Sequence, residues 1–192
     1  RQSDKLILDM CTGNAPVPLV LSLKTDAKII GFELQRAIAE LAWESISING
    51  LDKQIKVIND DVKNIGEFFK PNTFDVITCN PPYFKINDDK NKNKNDYLTL
   101  ARHEIAIDLE TIFKLVNRFL KDNGVFYMVH RAERLDEIII LANKYKLNVK
   151  EIQFISTKKN NNPSTILVKC VKNSKIGVKI KREICVDNLS TY

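Results

Sequence analysis

What the chain lacks narrows the field first. Its four cysteines, Cys11, Cys79, Cys170 and Cys185, form no C-x-x-C pair, and His103 and His130 are its only histidines. That spacing offers no zinc-ligand set, so no metal is expected. Glycine is scarce, with six in 192 residues, and no G-x-G-x-x-G occurs. This weighs against a dinucleotide with a closely cradled pyrophosphate. No apolar run approaches the ~18 residues of a membrane span. No secretory leader is legible, because RQSDK leads straight into the strand-like run KLILDM. Reduced thiols and a cytoplasmic location are the expectation.

What is present is ordinary in bulk. Apolar residues make up 44% and charged residues 28%. Such a composition excludes a disordered chain, a collagen-like fibre and a disulfide miniprotein. The length suits a single domain spanning 1–192, and neither an internal repeat nor a linker divides it. The net charge is +6 and the pI about 9.1. Those values permit nucleic-acid binding without requiring it.

Short apolar runs alternate with helix-period segments. Runs at 5–10, 28–33, 55–60, 74–79 and 124–130 lack polar alternation, as strands buried on both faces of a parallel sheet do. Between them, 34–49, 105–120 and 133–146 carry apolar stripes at helical spacing. In the first helix the stripe is Ile38, Leu41, Ala42 and Ile46. The runs 147–156 and 164–171 flank the polar turn KKNNNP with no helix between them, which predicts an antiparallel hairpin at the sheet edge. Residues 178–186 form a further strand or an extended tail. The fold predicted is Rossmann-like α/β: doubly wound, mostly parallel and seven-stranded, with a C-terminal antiparallel hairpin. The low-complexity stretch 85–96 is expected to be a flexible surface loop.

Chemistry-bearing residues gather where strands end. Asp9-Met10-Cys11-Thr12-Gly13-Asn14-Ala15 follows the first strand and opens a helix, the place where a doubly wound sheet holds a nucleotide. Glu33 ends the second strand, 20 residues beyond Gly13, where an acid can accept ribose hydroxyls. Ala15 stands where a second glycine would, and Pro16 and Pro18 occupy the helix start. A nucleoside without a diphosphate, such as adenosine bearing an amino-acid tail, fits this turn better than NAD. Asp61, with the backbone N–H of Val62, can meet an adenine edge, or Asp61 can simply cap a helix.

Asn80-Pro81-Pro82-Tyr83 follows the fourth strand directly and is the most informative tetrapeptide. Two prolines fix the backbone and remove two N–H donors, leaving carbonyls to face a ligand. The exocyclic nitrogen of adenine is a poor nucleophile because its lone pair is delocalised into the ring. Two acceptors, the Asn80 side chain and the Pro81 carbonyl, can hold its two hydrogens and aim the lone pair at an electrophile. Tyr83 offers a stacking face.

The order DMCTG, GFE, DDV and NPPY resembles the class I S-adenosyl-L-methionine-dependent methyltransferases, in their amino-methylating branch. DMCTGNAPVPL, NPPYF, ARHE (101–104) and HRAERL (130–135) resemble the bacterial valine-tRNA adenine-N6 methyltransferase family, over nearly the whole chain. The resemblance implies cofactor contacts by Asp9, Cys11, Thr12, Gly13, Glu33, Leu34, Asp61, Val62 and Asn80. It also implies target contacts by Asn80, Pro81, Pro82 and Tyr83. The implied partner is tRNA, the implied cofactor S-adenosyl-L-methionine, and the expected state a monomer. Lys85, Arg102, His103, Arg131 and Arg134 are candidate RNA contacts. The family's additional N-terminal segment is expected to be missing, because the chain starts with Arg a few residues before its first strand. The rival readings are a glutamine-N5 methyltransferase acting on a release factor, a guanine-N2 rRNA enzyme, a non-catalytic RNA-binding module and, more distantly, a nicotinamide dehydrogenase.

Overall fold

The structure is a computed structural model that describes residues 6–82, 107–157 and 160–186. Its first half alternates strand and helix: β1 (Leu6–Asp9), α1 (Pro16–Ser22), β2 (Lys28–Glu33), α2 (Arg36–Ile48), β3 (Ile55–Asn59), a 3-10 turn (Val62–Glu67) and β4 (Phe74–Cys79). The second half holds α3 (Leu109–Phe119), β5 (Leu120–Arg131), a short 3-10 turn (Ala132–Arg134) and α4 (Leu135–Lys144). It ends with β6 (Leu147–Thr157), β7 (Asn160–Lys172), β8 (Lys179–Ile180) and β9 (Ile184–Cys185).

One sheet carries every strand described, in the order β3-β2-β1-β4-β5-β7-β6-β8, with β9 also on β6. Strands β1 to β5 pair in parallel. Strand β7 runs antiparallel to both β5 and β6, which is the hairpin the sequence predicts. The sheet has nine strands where the sequence predicts seven. The two extra strands, β8 and β9, are two-residue pieces pairing in parallel with β6. Both lie within 178–186, where the sequence leaves a further strand or an extended tail open.

Alternate residues of each central strand enter opposite cores, the period-2 rule of a pleated strand. Ile7, Ile29, Ile55 and Val57 pack under Ala39, Ala42 and Ile46 of α2. Leu8, Phe32, Ile77 and Phe126 face Ile112, Phe113 and Val116 of α3 and Ile138 and Leu141 of α4. Phe113 meets Phe126 edge-on at 5.8 Å between centroids. The predicted α2 stripe needs correction: Leu41 is 50% exposed, and Ala39 takes its place against the sheet. Two alanines on that face let α2 approach β2 and β3 closely, which turns the bulkier Leu41 outward. Helix α3 starts at Leu109 rather than 105, because Asp108 caps it by accepting from the Thr111 N–H at 2.8 Å. No helix among the described residues is long and apolar enough to cross a membrane.

Candidate active site

The parallel register brings the cofactor-type turn and the diproline turn to one end of the sheet. Asp9 pairs with Thr78, so Asn80 lies just beyond Asp9 across adjacent strands. Both line a cavity of about 280 Å³, together with Thr78, Tyr127 and Lys169. Asp9 is 1% exposed. Burial raises its carboxyl above the ordinary value, opposed by the Thr78 hydroxyl, which donates to Asp9 Oδ1 at 2.7 Å.

The chain leaves β1 in a sharp turn. Met10 N–H donates to the Thr78 carbonyl and Thr12 N–H to the Phe32 carbonyl, each at 2.9 Å. Gly13 then adopts φ +56°, with open space where a Cβ would stand. Ala15 takes φ 66° as the N-cap of α1, so an L-residue is held left-handed, at about 1–2 kcal/mol. The substitution of Ala15 for glycine is therefore not a neutral one for the backbone. Glu33 reaches back across the turn: Gly13 N–H donates to Oε2 at 3.0 Å and Gln35 N–H to Oε1 at 2.9 Å. Its carboxylate is thus fixed at the carboxyl end of β2 and 9% exposed, with lone pairs to spare. The Thr12 hydroxyl is buried beside Asp9, near enough to favour its charge, yet in no hydrogen bond among the described residues.

These features fit a nucleoside cofactor. An orphaned buried hydroxyl, a fixed carboxylate and an open glycine turn converge, and Pro16 removes an amide that a pyrophosphate would need. Leu34 is exposed beside Glu33. Cys11 is half-buried and lies against Cys79. Interaction with Cys11, followed by burial, pushes the Cys79 thiol well above its ordinary range. Asp61 caps the 3-10 turn: it accepts from Lys63 N–H at 2.9 Å and ion-pairs with Lys63 Nζ at 2.9 Å. Val62 is buried behind it.

Asn80 is exposed, Pro81 buried and Pro82 half-buried. Tyr83, Lys85, Arg102, His103 and the stretch 85–96 lie outside the described residues. Arg131 and Arg134 end β5 and begin the next turn, and each already has a partner. Arg131 meets Glu133 at 3.4 Å, and Arg134 meets Glu137 at 2.5 Å. His130 is buried, and its Nδ1 accepts the Arg131 N–H at 2.9 Å. Burial and then Arg134 lower its pKa, leaving it neutral near pH 7. Among the described residues no cluster could hold a metal ion.

Two residues escaped the sequence reading. Thr78 anchors Asp9, and its signal is a lone hydroxyl in an apolar strand. Gly31 lets the Thr12 turn lie against β2, since a Cβ there would stand 2.8 Å from Thr12 Cγ2. A glycine inside a strand marks such close approaches.

The doubly wound sheet and its acid-and-glycine turn define a nucleoside-binding α/β fold. Residues 1–182 match the family model described as "Methyltransferase domain", and the chain belongs to the S-adenosylmethionine-dependent methyltransferases. Within that family it is 30% identical over 176 residues to a "tRNA1(Val) (adenine(37)-N6)-methyltransferase" of Bacteroides thetaiotaomicron, covering 90% of this chain and 71% of the relative. A protein of the same name from Phocaeicola vulgatus is 27% identical, covering 86% of this chain and 68% of the relative. Among solved structures, a predicted O-methyltransferase from Agrobacterium tumefaciens has a TM-score of 0.72 at 16% identity, covering 98% of this chain and 83% of that one. That similarity concerns the fold alone.

Proposed function

We propose that the chain transfers a methyl group from S-adenosyl-L-methionine to the exocyclic N6 amine of an adenine in the anticodon-loop region of tRNA, in the cytoplasm. The observation that carries this reading is the juxtaposition of Asn80, which opens the diproline turn, with Asp9 on one cavity. The names of its relatives support the choice of substrate.

When bound, S-adenosyl-L-methionine supplies an electrophilic methyl on a sulfonium sulfur. Glu33 is placed to accept ribose hydroxyls, Asp61 and the Val62 N–H to meet the cofactor's adenine edge, and Asp9 and Thr12 to line the turn around it. The Asn80 side-chain oxygen and the Pro81 carbonyl accept the two hydrogens of the target amine. This draws the nitrogen lone pair out of the ring plane, and no strong base is required. As the N–C bond forms and the S–C bond breaks, the amine acquires a positive charge and releases one proton to water. Tyr83 holds the base by stacking, worth about 1–3 kcal/mol. The target adenine must leave its stack, which is easiest in a loop.

The same turn suits a glutamine amide, so the decisive experiment offers both substrates. Labelled cofactor is incubated with the full chain and either bulk tRNA or a release factor, and the nucleosides are analysed by mass spectrometry. N6-methyladenosine in the tRNA is the expected product. Label in the release factor alone would overturn the reading.

A further inference from the structure

The positive charge of this protein is not spread evenly. Residues 144–182 hold eleven of the 30 basic side chains and one of the 24 acidic ones, a net charge of +10. The remainder of the chain is net −4. A lysine-rich composition overall would not produce that contrast. Within this stretch, the segment from Ser174 to Arg182 runs along the outer edge of β6. Its backbone is clasped by β6 side chains: Asn148 Nδ2 donates to the Ser174 carbonyl at 2.6 Å, Lys150 Nζ to Lys175 at 3.1 Å and Gln153 Nε2 to Arg182 at 3.0 Å. Lys181 N–H donates to the Ile152 carbonyl at 2.8 Å. The clasps occupy carbonyls, and of the segment's own cations only Lys181 turns inward, its Nζ 3.9 Å from Glu151 Oε2. The side chains of Lys175, Lys179 and Arg182 are exposed and make no ion pair or hydrogen bond among the described residues. Lys175, Lys179 and Arg182 follow one another along this edge, a row of charge rather than a single point.

We propose that this segment is a phosphate-binding rail for the sugar-phosphate backbone of the RNA substrate flanking the target base. The proposal rests on the RNA reading above. A rail of this kind supplies affinity and register without reading sequence, as phosphate contacts do. It divides recognition in two: the diproline turn selects an amine, and the sheet edge holds the rest of the RNA. Lys181, within the segment, lines the same cavity as Asp9 and Asn80, so the rail leads outward from the site.

The test uses the full chain with Lys175→Gln, Lys179→Gln and Arg182→Gln combined, all on exposed positions. Initial rates of methyl transfer to bulk tRNA are measured across a salt series, with cofactor affinity measured by calorimetry. KM for tRNA is expected to rise about tenfold and the log–log salt slope to fall by about 2–3, one per lost phosphate contact, while kcat and cofactor affinity stay within about twofold. The charge-conserving set Lys175→Arg, Lys179→Arg and Arg182→Lys is expected to behave as the parent. An unchanged KM and slope in the glutamine variant, with a parent that does methylate tRNA, would overturn the rail and leave the activity standing. Loss of binding to phosphatidylserine vesicles with KM for tRNA unchanged would overturn it in favour of a membrane surface. A parent that labels a release factor and no tRNA would bring down the underlying reading, and the rail with it.

Discussion

The two halves of the sheet are built on opposite electrostatic terms. In the parallel half the decisive polar groups are acids drawn inward: Asp9 is buried under a threonine hydroxyl, and Glu33 is pinned by two backbone N–H groups. In the antiparallel half most charges are cations, with Glu151 paired to Lys169 and Lys181, and several of the described ones face water. Lys172, only 7% exposed, has its ammonium spent inside the fold. It donates to Asn72 Oδ1 at 2.8 Å and to the carbonyls of Asn117 at 2.7 Å and Leu120 at 2.8 Å, tying β7 to the end of α3. The contrast follows from geometry. A parallel sheet gathers its strand ends at one crevice and can shelter acids there, whereas a hairpin edge exposes a long row of side chains.

The sharpest test of the parallel half is Asn80→Ala. Asn80 is exposed, so the fold is expected to survive while kcat falls about 10²–10³-fold, the usual loss on removing one preorganised polar group. Single-turnover methyl transfer to tRNA reads this directly. For the antiparallel half the counterpart is Lys172→Met. Three acceptors would lose a charged donor, and urea unfolding is expected to show a loss of about 2–4 kcal/mol with methyl transfer unaffected in the folded fraction. An unchanged midpoint would show that this lysine belongs with its solvated neighbours.

Smaller effects refine the comparison. Glu33→Gln is expected to weaken cofactor binding roughly 10- to 100-fold by calorimetry, since charge-assisted hydrogen bonds are worth about 1.5–3 kcal/mol. Asp9→Asn is expected to do two opposite things: lower cofactor affinity and raise the urea midpoint. Burial holds the Asp9 pKa above its unfolded value. The protonated acid is therefore tolerated at low pH, and the cost of ionising it grows as pH rises through the folded pKa. The stability advantage of the variant should thus vanish near and below the ordinary carboxylate range, around pH 4, and grow as pH rises above it. A constant difference across that window would mean that Asp9 does not titrate as its burial dictates.

The candidate residues could be named before any coordinates. Asp9, Gly13, Glu33 and Asn80-Pro81-Pro82 all follow apolar strands, and strand ends are where a doubly wound sheet collects ligands. Their partners could not be read. That Thr78 donates to Asp9, or that Gly31 yields space to Thr12, depends on strand register, which no local pattern specifies. The same limit explains Leu41: periodicity defines a helix face only to within a residue, and the close approach of α2 through Ala39 and Ala42 fixes the rotation. Asp61 shows a choice that stays open locally, since one carboxylate can cap a turn and still hold lone pairs for a ligand.

Residue pattern alone determined the alternation of strand and helix, the hairpin at the end and the chemistry carried by each turn, because hydrophobic period and turn-forming residues are properties of neighbours in the chain. Tertiary structure alone decided the order of the strands, the burial of Asp9 and Lys172 and the gathering of the outer cations along one edge. Those depend on which distant segments share hydrogen bonds, and only the folded sheet sets that.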